Sequence, residues 1–474
     1  MNAADISQRP SRTVRARPAS RLIAWAMAVA ILLPPLPAHA QKKQGGGIPL
    51  IRDTEIEQLL REYTQPIFKV AGLTAANIKI VLINERSFNA FVMDGRRIFV
   101  NTGALTESTT PNQIIGVLAH ETGHIAGGHL SKLRQELANQ QTAAIIGMLA
   151  GVAAMVAGSK MGSDSGASQA GAAVLSSAPQ VAMRNILSYQ RTQEEAADRA
   201  AVKFLAATNQ SAKGMYDTFR RFADNSMFTA RFADPYAQSH PMPAERVAAL
   251  VDIARSSPIW DKKDPAELQA RHDMMRAKLS GFMDPPQTVG RRYPLSDTSL
   301  PARYARAIST YQHSDLRSAV AQIDSLIALQ PNNPYFYELK GQALLEGSRP
   351  AEAIGPLRHA VSLARDPTLI QLMLGQALVA TNDPKHSEEA ITILRNALAR
   401  EPDAPQAYQQ LAMAYGRKGD LAQADLASAQ AAFTRGDIKT ARELAARAKT
   451  RLPVGSPGWV RADDIVAAKM PQRN

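Results

Sequence analysis

Cysteine is absent from this 474-residue chain. That excludes disulfides, cysteine-ligated zinc, a thiol nucleophile and a cysteine-linked lipid anchor, but it leaves the compartment open, because exported proteins can dispense with disulfides. Aromatic residues are scarce, at 5%. The sequence shows neither the aromatic–basic interleaving of single-strand binders nor any other nucleic-acid-binding motif, so the formal charge of +13 implies no nucleic-acid partner. Part of that charge is local: five basic residues and one acidic residue precede position 41, leaving 50 basic against 41 acidic residues. Apolar runs are short as well. "LIAWAMAVAILL" (Leu22 to Leu33) falls below the ~18–20 residues of a membrane span.

That run has another use. Arg12, Arg15, Arg17 and Arg21 precede it, prolines follow, and "AHA" ends at Ala40. This is the layout of an export signal, without a twin-arginine signature. The expected mature chain begins at Gln41 in the periplasm, with peripheral contact at the outer membrane as an additional expectation. Alanine is abundant and 45% of residues are apolar, enough for two or three helix-rich domains.

One region reads as β. Ile78 to Ile83 is a β-rich run, and Asn89–Met93 and Arg96–Asn101 flank Asp94-Gly95, a strong hairpin signal. The rest is helical. A helix is expected within 50–75, and another starts at Thr110, with Pro111 at its first position and Gln113 completing a capping box. Gly127-Gly128 weakens its far end. Residues 143–158 are small and apolar and run into a Gly/Ser/Ala-rich stretch up to 182. They read as a buried helix or hairpin covering a site, with a flap or a membrane-contacting segment as the alternatives. Helices are also expected at Met183–Thr208, after "SHPMPAER", and at 266–281. The expected organisation is a signal at 1–40, a catalytic domain at 41–285, a linker at 286–301 and a repeat domain at 302–460.

The repeats show in the spacing. Ala319, Ala353, Ala390 and Ala424 lie 34, 37 and 34 residues apart, Gly341 and Gly375 again 34, and Pro331, Pro367 and Pro402 close successive units. This is the period of a tetratricopeptide array, an α-solenoid of about four units with a concave groove. The fold class is therefore mainly α with a small β-sheet, followed by that solenoid.

"HETGH" carries the chemistry. His120 and His124, four apart on a helix, share a face and can meet one metal ion, while Glu121 can act on a water at an open coordination position. A third histidine ligand is expected at position 130, but that residue is Leu130. His129 comes one place early, about 100° around a continuous helix, and reads as a helix-end residue or a partner of a ligand. The third ligand is instead sought on a second helix. Glu194 and Asp198 in "EEAAD" are four apart: Glu194 can bind the metal, and Asp198 can orient a ligand histidine. Glu195 is rotated away. By spacing alone, His240, before a proline, is a loop residue.

H-E-x-x-H, E-x-x-A-D about 70 residues later, "SHPMPAER" and "NAFVMDGRRIFVNTGAL" together make the chain resemble the BepA-like exported zinc metallopeptidases, a gluzincin family related to HtpX and the CaaX prenyl protease. The resemblance implies a gluzincin-type domain with one Zn2+ per chain, held by His120, His124 and Glu194, with Glu121 as catalytic base. It implies that His240 approaches the metal as a switch, that Arg246 is the basic residue supporting it, and that the strand at Asn89, Ala90 and Phe91 receives an extended substrate. It further implies a protease of outer-membrane protein quality control, with misfolded outer-membrane proteins as substrates and the outer-membrane assembly machinery docked in the repeat groove. A chaperone or adaptor with a structural zinc is the competing reading.

Overall fold

The computed structural model describes residues 49–160, 166–228, 236, 239–241 and 244–468, without the side chains of 156–160, 166–169, 171 and 225–228. The export segment and the cleavage site after Ala40 lie outside the described residues.

A four-stranded sheet sets the frame: β1 (Leu50–Ile51), β2 (Lys79–Ile83), β3 (Ala90–Val92) and β4 (Arg97–Asn101), in the order β1-β2-β4-β3. The expected hairpin joins β3 and β4 antiparallel, with Phe91 opposite Phe99. Its turn is stabilised by Asp94, which accepts from the Arg96 amide at 3.1 Å, and by Gly95 at φ 75°. β2 and β4 pair in parallel, so β3 is pushed to the edge. The sequence gives no sign of β1, because two residues carry no period.

Helix α1 (Thr54–Val70) starts where the Asp53 carboxylate accepts from the Ile56 amide at 2.9 Å. It buries Ile56, Leu59, Leu60, Tyr63 and Ile67. A short α2 (Thr102–Glu107) leads to α3 (Pro111–Ala126). The Gln113 side chain accepts from the amides of Thr109 at 2.7 Å and Thr110 at 3.4 Å, closing the start of α3. Ile114, Ile115, Val117, Leu118 and Ala119 are all fully buried, so α3 is apolar around most of its surface and runs through the core.

After Ala126 the chain turns through Gly127 and Gly128, the latter at φ 63°. Then follow α4 (His129–Lys160), α5 (Gly166–Ala207), α6 (Lys213–Phe228), α7 (Ala244–Arg255) and α8 (Ala266–Met283). α4 and α5 pack along each other as a long helical pair. Here the expectation of a buried cover for the site is corrected. Ile145, Ile146, Leu149, Val152, Val174, Val181, Met183 and Leu187 are exposed. The helices pack through small residues instead: a Cβ on Gly147 would lie 3.1 Å from that of Ala178. Among the described residues no helix is long and apolar enough to cross a membrane.

The stretch expected as a linker opens with α9 (Pro286–Arg292), started by proline at its first position. Five helix pairs follow among the described residues, one more than the spacing suggests. They are α10 (Leu300–His313) and α11 (Leu316–Leu329), α12 (Pro334–Glu346) and α13 (Pro350–Leu363), α14 (Thr368–Ala380) and α15 (Ser387–Arg400), α16 (Pro405–Arg417) and α17 (Leu421–Thr434), and α18 (Ile438–Lys449) and α19 (Pro457–Ala467). The recurring glycines have one cause. A Cβ on Gly341 would meet Leu357 at 2.4 Å, and one on Gly375 would meet Leu394 at 2.4 Å. Ala319, Ala353 and Ala390 are fully buried, whereas Ala424 is half-buried.

The described residues from Leu50 onward form one compact unit, so the array is held against the sheet-and-helix half. Lys278 on α8 lies 2.8 Å from Asp53 and 3.2 Å from Glu55, and Tyr304 donates to Glu55 at 2.9 Å. The Thr54 hydroxyl donates to Glu338 of α12 at 2.6 Å.

Candidate metal centre

α3 and α5 build the site together. His120 and His124 face α5 from one side of α3, and Glu194 and Asp198 face back. Gly123 lies between the histidines because the helices approach too closely for a side chain: its Cβ would lie 2.9 Å from the Ala197 carbonyl oxygen. His240 approaches from the segment before α7, and its amide donates to the Tyr236 carbonyl at 2.8 Å.

Four donor residues converge. His120 Nε2 lies 3.0 Å from His124 Nε2, 3.3 Å from Glu194 Oε2 and 3.3 Å from His240 Nδ1. His124 Nε2 lies 3.4 Å from Glu194 Oε1, and His240 Nδ1 lies 3.0 Å from Glu194 Oε2. Bonds of ~2.0–2.2 Å to a tetrahedral ion would separate neighbouring ligands by about 3.3–3.6 Å, close to the longer of these distances. The four residues fit a metal ion with one donor atom each.

The charges around the donors agree. Burial opposes an imidazolium at His120, yet Asp198 and Glu194 outweigh it and push its pKa up to about 9. Burial also works against the Glu194 carboxylate, but His240 and His120 hold it well below the usual range. His124 is pushed well below the ordinary histidine value by burial and by His120 beside it. The pocket therefore favours positive charge among the donors while keeping His124 a neutral imidazole with one ring nitrogen free to bind, as a cation-binding cluster should.

Surrounding groups fix the candidate donors. Asp198 Oδ1 lies 2.9 Å from His120 Nδ1. Arg246 holds both oxygens of Asp198, at 2.6 and 2.8 Å, and also meets Glu194 at 2.9 Å and the Pro241 carbonyl at 2.9 Å. Despite burial, this drives Asp198 down to about 2. Glu121 is 1% exposed, and neither of its oxygens has a hydrogen-bond partner among the described residues. Burial raises its pKa, and His240 Nε2 lies 3.4 Å from its Oε1. Glu195 points outward to Arg199 at 3.6 Å, as expected.

A cavity of about 430 Å3 opens beside Glu121, His124, Glu194 and His240. Phe91 and Val92 of the edge strand line it; Asn89 and Ala90 do not, Ala90 being fully buried in the core and Asn89 bonded to Asn101 through its carbonyl at 2.9 Å. Sequence reasoning missed part of the wall. Leu130, Leu133 and Gln190 line the cavity, and Phe219 sets its ring edge-on to His120 at 5.3 Å. Leu130 and Leu133 could have been found from their position just past the helix that carries His120 and His124; Phe219 had no local signal.

Residues 51–254 match peptidase family M48, and residues 304–369 match the tetratricopeptide repeat. The chain carries a peptidase M48 domain. With the metal-fitting cluster inside it, the chain is a metalloprotease with a C-terminal tetratricopeptide array. It is homologous along most of its length to a "Beta-barrel assembly-enhancing protease" of Yersinia pestis, 24% identical over 422 residues, covering 88% of this chain and 83% of that one. The protein of the same name from Escherichia coli (strain K12) is 23% identical over 431 residues, covering 88% and 84%. Among solved structures, the crystal structure of MamA overlaps 34% of this chain and 89% of its own, at 20% identity and a TM-score of 0.27.

Proposed function

We propose that the chain is a zinc-dependent endopeptidase of the periplasm that acts in outer-membrane protein assembly and quality control and degrades misfolded or stalled substrates. His120, His124 and Glu194 hold the zinc, and Asp198 and Arg246 orient them. One observation carries the reading: donor atoms spaced for a tetrahedral ion stand beside a buried glutamate whose oxygens have no hydrogen-bond partner among the described residues. When bound, zinc supplies a Lewis acid that acidifies water and polarises a carbonyl.

The chain's residues do the rest. Glu121 takes the proton of the attacking water and delivers it to the leaving amine; its burial raises its proton affinity, which suits a group that must both accept and release a proton. The outer edge of β3 adds the substrate as a strand, with Phe91 and Val92 directing it past Glu121. Recognition through backbone suits substrates that share no sequence. The repeat groove docks the assembly machinery, in keeping with the assembly role named in the relatives. The exposed apolar residues of α4 and α5 are offered for peripheral contact with the outer membrane.

The test pairs metal analysis with one substitution. Purified mature chain is expected to hold one zinc per molecule. Glu121→Gln is expected to keep that zinc and lose at least ~100-fold in cleavage of casein or misfolded porin, the scale of general-base catalysis. Full activity in this variant would sink the reading. One feature favours a second reading, a chaperone or adaptor with a closed zinc: His240 Nδ1 stands at the fourth corner. Full rescue of a null strain by Glu121→Gln would support it.

A further inference from the structure

The two ligand histidines of α3 are oriented differently. Asp198 faces Nδ1 of His120 and is itself held by Arg246. Among the described residues no carboxylate faces the same atom of His124. Its neighbour there is another imidazole: His129 Nδ1 lies 3.0 Å from His124 Nδ1, the rings nearly perpendicular at 87° with centroids 5.0 Å apart. His129 is buried, at 8% exposure.

The turn after α3 makes this contact. On an unbroken helix, the fifth residue after His124 would point elsewhere. The helix instead ends at Ala126, passes Gly127 and Gly128, and restarts at His129, which returns the ring towards His124. A Cβ on Gly127 would lie 2.1 Å from His129 Nε2, so the ring occupies the space that a side chain at 127 would need.

We propose that His129 is a positioning residue for the metal centre. It carries its own proton on Nε2 and accepts at Nδ1 the proton of His124 Nδ1. Two facing nitrogens share one proton, so the arrangement has only two forms. In one, His124 donates and leaves its Nε2 lone pair aimed at Glu194 and His120; in the other, His124 is protonated on Nε2 and cannot bind a metal through it. An acceptor at position 129 selects the first form, as a carboxylate or carbonyl does in other metal sites. The inference rests on the reading that His120, His124 and Glu194 hold zinc.

The test measures zinc affinity in the full mature chain by competition with a chelator. His129→Phe keeps a ring but removes the acceptor, and is expected to weaken zinc about 10- to 100-fold. His129→Asn restores an acceptor and is expected to recover most of that loss. Gly127→Ala displaces the ring and should weaken zinc without touching either histidine. As a check independent of folding, nitrogen-15 NMR of the zinc-loaded parent should find His124 protonated on Nδ1 and His129 on Nε2. A parent that binds zinc no more tightly than His129→Phe, or a His129 protonated on Nδ1, overturns the inference alone. A parent that binds no zinc overturns the metal reading, and the inference with it.

Discussion

Arg246 shows how much one side chain can organise. Only 5% exposed, it bonds the carboxylate facing His120, the carboxylate among the donors and the carbonyl of Pro241, next to His240. The same cation therefore steadies the candidate donors and the segment that presents His240. Removing Nδ1 of His240 from the fourth corner should leave His120, His124 and Glu194 in place and open that corner to water and substrate. His240→Ala is expected to bind zinc as before and to cleave casein about tenfold faster, as when a closed state holds nine molecules in ten. An unchanged or slower rate at equal zinc content would remove His240 as a switch. Much of this scale was legible. His120, Glu121 and His124 follow from a four-residue helical spacing, and Glu194 with Asp198 from another. His129, read as a helix-end residue or a partner of a ligand, lies outside the four candidate donors. Its contact with His124 was not legible, because it depends on how two glycines turn the chain.

At the scale of elements, the site is a distance between α3 and α5. Gly123 sets it, since a methyl there would press on the Ala197 carbonyl oxygen at 2.9 Å and Cα at 3.1 Å, on the residue just before Asp198. Overpacking costs ~1–3 kcal/mol, and replacing a helical glycine by alanine returns ~1 kcal/mol. Gly123→Ala should thus change overall stability little while moving Glu194 away from the histidines, lowering zinc affinity about tenfold, at the low end of what a disturbed ligand shell costs. Gly355, inside α13 with nothing within 4 Å, is the control: Gly355→Ala should stabilise slightly and leave zinc binding alone. Equal zinc affinity in the two variants would show that the helix spacing does not tune the site. The expected helix near 183–208 proved to be the end of a much longer one, Gly166–Ala207, with Pro179 inside it. Small residues make its first half look loop-like, but alanine favours helix, and packing against α4 overrides the glycine and proline signals.

The repeat array and the peptidase half meet over buried charge. Asp53, Glu55, Lys278 and Glu338 come from three helices or their caps, and the bond between Thr54 and Glu338 spans 284 residues. No sequence pattern announces such a contact, so the array's period was legible and its seat was not. The cluster has more carboxylates than cations, and Glu338 shows it. Its Oε2 has no hydrogen-bond partner among the described residues. Burial, opposed by Lys278 and reinforced by Asp53, pushes its pKa up to about 7 from an ordinary 4.5. Between those two values the folded chain keeps a proton that the unfolded chain has released, so the group's contribution to stability falls as pH rises through that window. Glutamine does not titrate, and its carbonyl oxygen can still accept from Thr54. Glu338→Gln should therefore match the parent near pH 4.5 and exceed it in stability by pH 8, read as a difference in urea midpoint that widens with pH. A difference that stays constant from pH 5 to pH 8 would mean that Glu338 is ionised at the junction throughout, and that Lys278 already balances the carboxylates joining the repeats to the peptidase half.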